Sequence, residues 1–208
     1  MHYIYTKIIA LFILVLSLTN ANASTAEDLS QLLTNFQSMQ ADFKQTIYDQ
    51  NQKPLQKSMG NMALKRPGQF RWETKQPTPQ LLLTDGNYVW IYDIDLEQAT
   101  KQKADTGNQN NPASLLSGSI KDIERRFEVS TIQKPGKIQW FRLVPKDDSD
   151  MFQWIELGFA DGKLSSMKLN DKLGTLSVFD FSNVRINPTL NASLFTFKVP
   201  KGVEVIIN

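Results

Sequence analysis

Hydrophobic and polar residues alternate over much of residues 60–92, which is the period expected of β-strands with one apolar face. Phe70 and Trp72 share one face, whereas the polar residues beside them share the other. The dipeptides Pro67-Gly68 and Asp85-Gly86 interrupt the alternation, and both suit the backbone of tight turns. The stretch therefore predicts three successive antiparallel strands with one apolar, aromatic face.

Strand-like segments recur along the rest of the chain and are separated by turn signals such as Pro135-Gly136 and Asp161-Gly162. About ten or eleven short strands with only two or three short helices favour a mainly β fold, in which a barrel or strongly curved sheet closes over its own apolar face. The chain offers no Pro-, Gly- or Ser-rich linker, so one domain is expected. The further strands are predicted at residues 41–48, 127–132, 138–144, 152–159, 164–170, 175–181 and 194–199, with a short one near residue 99.

A helix is predicted ahead of the first strand. Ser24 and Glu27 fit a capping box, in which the two side chains satisfy backbone N–H groups at a helix start. The apolar residues that follow have helical spacing and form a stripe along one side. Such a helix packs against the core or covers the mouth of a cavity, and the stripe alone does not distinguish the two. Its members are Leu29, Leu32, Leu33, Phe36 and Met39.

Two shorter helices are predicted in the middle of the chain. Pro112 precedes Leu115 and Leu116, and proline is tolerated in the first turn of a helix because its missing N–H has no partner there. A second short helix is predicted at residues 120–125. The preceding residues 101–111 are rich in Gln, Asn and Lys and predict a mobile surface loop.

The N-terminal residues 1–23 have the features of a secretory signal peptide. Lys7 precedes an apolar run over residues 8–18, and Ala21-Asn22-Ala23 supplies small residues for cleavage. The run is shorter than the roughly 20 apolar residues that cross a bilayer. We therefore expect residues 1–23 to be removed, which leaves residues 24–208 as one exported domain. The sequence contains no cysteine, so neither a disulfide nor a lipid at the cleavage site is expected.

The ionisable residues argue against several functions. The formal net charge is +2 at pH 7, and without a basic cluster there is no electrostatic basis for binding nucleic acid. His2, the only histidine, lies in the predicted signal peptide, so the mature chain lacks the commonest general base, a thiol nucleophile and nearly every transition-metal site. A carboxylate pair or a serine with a lysine base is what remains for catalysis, and no catalytic residue, metal or cofactor is predicted. Asp93 and Asp95 could act as a hydrolase pair or as calcium ligands, and the simpler interpretation is a solvated hairpin end.

The aromatic residues favour binding over catalysis. The four tryptophans and most phenylalanines fall in predicted strands, which gives more apolar surface than a thin sheet and short helices easily bury. A curved sheet with such a face can enclose a cavity for an acyl chain, and the alternative is a solid aromatic core. Arg66 precedes the Pro67-Gly68 turn, where it could donate hydrogen bonds to carbonyl groups at the end of a covering helix or remain a solvated charge.

Several strings of residues together match one known family. They are Arg66-Pro67-Gly68-Gln69-Phe70-Arg71-Trp72, Gln80 to Asp93, Leu96-Glu97-Gln98-Ala99, Ala41-Asp42-Phe43-Lys44-Gln45, Asn111-Pro112, Leu115-Leu116, Phe195-Thr196-Phe197 and Pro200-Lys201-Gly202-Val203. In combination they resemble the outer-membrane lipoprotein carrier proteins, the LolA family. The resemblance extends across the mature chain.

The resemblance implies an unclosed antiparallel β-barrel with an α-helical lid around a hydrophobic cavity. It also implies a monomeric periplasmic carrier that receives acylated lipoproteins from an inner-membrane ABC-type release complex and delivers them to an outer-membrane receptor. The family's latch arginine corresponds to Arg66, whose lid partners would be Leu115, Leu116 and Ser117. The cavity lining, predicted from the resemblance and the apolar pattern together, consists of Phe36, Phe43, Phe70, Trp72, Leu83, Trp90 and Leu116.

Two other functions stay open at this point. One is an envelope lipid-binding sensor or regulator on the same fold, which would require a second protein-binding domain that the length of the chain does not accommodate. The other is an enzyme that acts on lipid or glycan through Asp93 and Asp95.

Overall fold

The computed structural model describes residues 21–104, 112–117 and 120–207, and for residues 21–25, 112–114 and 120–122 it describes the course of the backbone only. Most of the predicted signal peptide, residues 1–20, lies outside the described residues. The same holds for residues 105–111, on which most of the predicted surface loop falls. Residues 101–103 of that predicted loop belong to a strand instead.

Twelve strands and a few short helices make up the described chain. The helices are α1 (Ala21–Thr34), α2 (Pro112–Ser117) and α3 (Ile120–Arg126), with a short 3-10 helix at Ala192–Phe195. The strands are β1 (Ser38–Tyr48), β2 (Pro54–Lys65), β3 (Gln69–Gln76), β4 (Gln80–Thr84), β5 (Tyr88–Asp93), β6 (Gln98–Lys103), β7 (Phe127–Ile132), β8 (Gln139–Pro145), β9 (Phe152–Ala160), β10 (Lys163–Asp171), β11 (Leu176–Ile186) and β12 (Glu204–Ile207).

All twelve strands belong to one sheet in the order β12-β6-β5-β4-β3-β2-β1-β11-β10-β9-β8-β7. Neighbouring strands are antiparallel except β12, which runs parallel to β6. In the described part of the chain β7 and β12 pair on one side only, so the sheet is open. The predicted mainly β, unclosed architecture is confirmed, with twelve strands in place of ten or eleven. The helices lie on the sheet, where α1 and α3 contact β7, and α2 contacts β2 and β3.

Two strand predictions are wrong. The stretch over residues 60–92 contains four strands because Pro77 and Pro79 separate β3 from β4, and proline cannot donate to a strand ladder. The predicted strand at residues 194–199 is absent. Its place is taken by the 3-10 helix, which begins where the Asn191 side chain accepts a hydrogen bond from the N–H of Ser193. The last strand is β12 instead.

The first helix is shorter at its C-terminal end than the apolar stripe predicts. It begins at Ala21, before the predicted Ser24 cap, and ends at Thr34. The Asn187 side chain accepts hydrogen bonds from the N–H groups of Gln37 and Ser38, at 2.7 and 3.3 Å, and so directs the chain into β1. Met39 is therefore a strand residue, although it is buried as predicted. Within the described residues no helix has the length and hydrophobicity to cross a membrane.

The two faces of the sheet are both partly covered, by different elements. The inner face, which we define by Met62, Leu64 and Phe70, packs against apolar residues of α1, α2 and α3 in one core cluster. The outer face of β3 to β6 is covered by the chain between β11 and β12. There Phe195 is fully buried, and the ring of Phe197 lies against β5.

A buried carboxylate joins three segments on the outer face of the other half of the sheet. Glu156 of β9 is 1% exposed and accepts hydrogen bonds from Arg142 of β8, at 2.6 and 3.1 Å, and from Lys134. Burial by itself would raise the pKa of the Glu156 carboxyl. The hydrogen bonds and charges of Lys134 and Arg142 outweigh burial and lower it.

We expect Glu156→Gln to lower the free energy of unfolding by about 2 kcal/mol at pH 7, because it removes the carboxylate from three charge-assisted hydrogen bonds, two with Arg142 and one with Lys134. Because the pKa of the Glu156 carboxyl is lower in the folded state than in the unfolded state, the carboxylate stabilises the fold at pH values above the unfolded-state pKa. This stabilisation is lost as the pH falls through the folded-state pKa. The difference between the variant and the wild type should therefore shrink in acid. Denaturant unfolding at pH 7 and at pH 3 checks this, and an equal difference at both pH values would contradict it.

Candidate functional site

Aromatic rings form the centre of the inner face. The Trp72 ring is stacked on Phe43 with ring centroids 4.0 Å apart, and lies 5.9 Å from Phe70. The edge of Phe179 meets the same indole at 5.3 Å, and Phe181 meets it at 6.3 Å. Such pairs contribute about 0.5–1.5 kcal/mol each beyond their buried area. Trp72 is thus the ring shared by β1, β3 and β11.

Gly60 makes room for this arrangement. It pairs with Phe43 on one side and with Thr74 on the other. A Cβ atom at this position would lie 1.8 Å from the carbonyl oxygen of Glu73 and 2.9 Å from Cε1 of Phe43. The absence of a side chain therefore allows β2 and β3 to approach and the Phe43 ring to lie flat against Trp72.

A small pocket opens beside the aromatic rings. Its volume is about 230 Å³, and its lining combines apolar rings with short polar side chains: Gln45, Phe70, Trp72, Thr74, Gln80, Leu82 and Phe179. Pockets that enclose drug-sized ligands are larger, roughly 300–1,000 Å³. This pocket by itself is therefore too small for a long acyl chain, which would need the covering helices to move away from it.

The end of α2 is attached to the sheet beside Arg66. Leu115, Leu116 and Ser117 are buried, and the two leucines belong to the core cluster of the inner face. The N–H of Gly68 donates a hydrogen bond of 3.1 Å to the carbonyl oxygen of Ser117. Helix α2 therefore covers the inner face with apolar contacts and a directional bond at its C-terminal residue.

Arg66 lies between the sheet and the end of α1. Its N–H donates to the carbonyl oxygen of Gln37 at 2.8 Å, and its guanidinium carbon lies 5.1 Å from the centroid of the Phe36 ring. Burial lowers the pKa of the Arg66 guanidinium. The side chain is half-buried and is not a solvated turn charge. Its predicted bonds to Leu115, Leu116 and Ser117 stay a prediction.

The structure brings five of the seven predicted lining residues together on the inner face: Phe36, Phe43, Phe70, Trp72 and Leu116. The prediction that Leu83 and Trp90 line the same face is wrong. They pair with each other, and Leu83 also pairs with Arg71, whose neighbours Phe70 and Trp72 point inward. Successive residues of a strand point to opposite faces. Both residues therefore face outward, where the Trp90 ring lies 4.9 Å from Phe197.

Asp93 and Asp95 lie at the turn between β5 and β6. The Asp93 carboxylate accepts a hydrogen bond of 3.2 Å from the N–H of Leu96, and Asp95 is exposed. This arrangement supports the simpler interpretation, a hairpin end. Among the described residues, no group of three or more His, Cys, Asp or Glu is placed to hold a metal ion.

Sequence reasoning did not single out Gly60, Phe179 or Phe181. Phe179 and Phe181 alternate within the predicted strand at residues 175–181, so their common face could have been recognised. Their contact with Trp72 depends on the pairing of β1 with β11 across more than 130 residues of sequence, which no local pattern contains.

The fold and the site define a class: an open β-sheet whose aromatic inner face is covered by short helices. The family model of the outer membrane lipoprotein carrier protein LolA matches residues 34–198. Outer-membrane lipoprotein carrier proteins of Coxiella burnetii and Pseudomonas aeruginosa are similar in sequence. The first is 39% identical over 96% of this chain and 95% of that protein, and the second 40% identical over 99% of each. The chain belongs to this family.

Solved structures with low sequence identity share the fold. An uncharacterized conserved protein from Thermus thermophilus has a TM-score of 0.55 at 13% identity and covers 89% of this chain and 99% of its own. The structure of MucB has a TM-score of 0.52 at 11% identity and covers 85% of this chain and 63% of its own. At such identities the similarity concerns the fold alone.

We expect Gly60→Ala to lower the free energy of unfolding by about 1–3 kcal/mol, the range for overpacking a well-packed site. The added methyl group must displace the Glu73 carbonyl group or the Phe43 ring. Denaturant unfolding measures the loss, and the near-ultraviolet circular dichroism of the aromatic rings should change with it. Unchanged stability and an unchanged spectrum would contradict the close packing described above.

Proposed function

We propose that this chain is a periplasmic carrier that binds the acyl chains of lipoproteins on the inner face of its sheet. In this proposal residues 24–208 are the mature carrier after removal of residues 1–23. It receives lipoproteins from an inner-membrane ABC-type release complex and passes them to an outer-membrane receptor. The membership in the carrier family supports the proposal, and the alternative of a lipid-binding sensor is not favoured by the relatives' names.

One observation carries the assignment of the binding site: the aromatic inner face is covered by separate short helices. The helices contribute apolar side chains such as Leu33 and Leu116 to the same cluster as Phe70. An acyl chain that replaces them gains about 0.8 kcal/mol for each CH₂ group it buries. Binding is therefore an exchange, in which lipid covers the surface that the helices covered before.

The exchange explains how a carrier can release its cargo without catalysing a chemical reaction. Uncovering the inner face costs free energy when α2 leaves it, and this cost reduces the net affinity for lipid. When the cargo departs, α2 can return to Phe70 and Met62 and bury the surface again. No catalytic group is required, and the proposed carrier acts as a monomer without a cofactor.

The central test uses one lipoprotein in two forms. Purified mature protein is mixed with detergent-solubilised triacylated lipoprotein, or with the same polypeptide without acyl chains, and the detergent is then removed. We expect a soluble one-to-one complex with the acylated form only, because the site recognises the apolar chains. Size-exclusion chromatography with mass determination distinguishes the results. Equal binding of both forms, or of neither, would refute the proposed site.

The position of the lipid can be tested with two matched tryptophan substitutions. Trp72 faces inward and Trp90 outward, so brominated acyl chains on the bound lipoprotein should quench the fluorescence of Trp72 but not that of Trp90. We expect Trp72→Phe to remove most of the quenching and Trp90→Phe to preserve it. Loss of quenching in the Trp90 variant would place the lipid on the other face.

The proposed latch role of Arg66 predicts a defect in transfer. In this proposal Arg66 helps to hold α2 on the inner face, so Arg66→Leu weakens the helix-covered conformation, lowers the cost of uncovering the inner face and makes the bound lipid harder to release. We expect this variant to fold and to load, but to transfer lipoprotein to a purified outer-membrane acceptor more slowly by about tenfold, which corresponds to about 1.4 kcal/mol. Arg66→Lys, which retains the charge, is the control. Wild-type transfer rates in the leucine variant would contradict the latch.

A further inference from the structure

The inner face changes from apolar to polar along its strands. Inward-facing positions of a strand are two residues apart. Toward the end of the sheet remote from Gly68 and α2, the next inward position is polar on three strands: Thr74 comes next to Trp72, Gln80 next to Leu82 and Gln45 next to Phe43. A border of amide and hydroxyl groups therefore flanks the aromatic rings at this end.

The pocket of about 230 Å³ spans this change. At its apolar end Phe70 is fully buried. At its polar end Gln80 is exposed and Thr74 is half-buried. Thr74 lies four residues beyond Phe70 on β3, which corresponds to about 13 Å along a strand. The pocket is thus amphipathic, with its apolar end inside the protein and its polar end open to water.

The polar end offers hydrogen-bond donors that carry no charge. The side-chain oxygen of Gln45 accepts a hydrogen bond of 2.9 Å from the Ser58 hydroxyl, which leaves the amide NH₂ group to donate elsewhere. Thr74 supplies a hydroxyl group, and Gln80 supplies a second amide. Among the described residues that line the pocket there is no lysine or arginine, and Asp93 pairs with Gln80 on the same face. This end therefore suits a neutral acceptor and disfavours an anion.

We propose that Gln45, Thr74 and Gln80 form a head-group subsite, which donates hydrogen bonds to the ester carbonyl oxygens of the acylated glyceryl group of a lipoprotein. The acyl chains then extend from this subsite toward Phe70. Ester carbonyl groups are neutral acceptors, and bringing them out of water without a hydrogen bond would cost free energy. The inference rests on the proposed lipid-binding function and deepens it, because it gives the bound lipid a direction along β3.

The lack of a cation makes the subsite selective. A phospholipid has the same esters and acyl chains, but its head group carries an anionic phosphate. A phosphate that leaves water requires charged or backbone donors, and here it would approach Asp93 instead. The subsite therefore favours an acylated protein over an anionic phospholipid with chains of equal length.

The first arm of the test separates the head group from the acyl chains. The probes are two fluorescent lipopeptides with the same peptide and chain length, one with ester linkages and the other with ether linkages, which lack the carbonyl oxygens. Thr74→Val removes the hydroxyl group at nearly constant volume, and Thr74→Ser retains it as the matched control. Fluorescence anisotropy gives the affinities, and the melting temperature checks the fold.

We expect the wild type to bind the ester probe at least about fivefold more tightly than the ether probe. The valine variant should lose affinity for the ester probe and keep its affinity for the ether probe, whereas the serine variant should retain the preference. Equal binding of both probes by the wild type, or an equal loss of both in the valine variant, would overturn the subsite and leave lipid binding in place. Binding of neither probe would overturn lipid binding itself, and the subsite with it.

The second arm introduces the missing charge. Gln80→Lys places a cation at the exposed polar end, and Gln80→Glu places an anion there as the matched control. We expect the lysine variant to bind phosphatidylglycerol at least about fivefold more tightly than the wild type does, and the glutamate variant to show no gain. Equal affinities of the two variants for this phospholipid would show that the head group lies elsewhere.

Discussion

Burial of the inner face by apolar contact is the constraint on which the rest of this structure depends. The hydrophobic effect is proportional to the area removed from water and has no direction. In the proposed exchange, the apolar side chains of the helices and the methylene chain of a lipid are therefore equivalent coverings for the inner face. The sheet keeps its shape through backbone ladders, whereas its proposed coverings replace one another. The bond between Gly68 and Ser117 is a directional contact of this covering.

The aromatic cluster places strict demands on the backbone beneath it. The stack of Phe43 on Trp72 requires close approach of β2 and β3, and Gly60 permits it. The two halves of the sheet make room for a large ring in the same way, on opposite faces. On β8 and β9 the outer face carries large rings and paired charges, where Trp140 lies over Gly158 and Arg142 over Trp154. Glycine beneath an aromatic ring is thus used on both faces.

The sequence predicted the type of most elements, because a period of two is visible wherever one face of a strand is buried. It did not predict the correct face of the sheet for Leu83 and Trp90. Alternation shows that Leu83 and Leu81 share a face, but the identity of that face depends on pairing with β3 and β5. Trp90 was misplaced for a related reason: its covering, Phe197, is remote in sequence and lies in a segment whose alternation predicted a strand that the structure does not contain. The end of α1 was also set by a distant residue, since Asn187 holds Gln37 and Ser38.

The path of the chain between β11 and β12 has a mechanical consequence. Five strands separate β11 from β6 in the sheet, and the segment crosses them to bring β12 beside β6. The segment starts at the end of the sheet where β1 begins and finishes at the opposite end, where β6 begins. It therefore crosses the strands diagonally. On the way its 3-10 helix rests on β3 and Phe197 on β5. A segment that packs diagonally across several strands opposes their sliding along one another. Strands β1 to β6 are therefore held against sliding past one another, and any large deformation of the molecule is left to the unbraced helices.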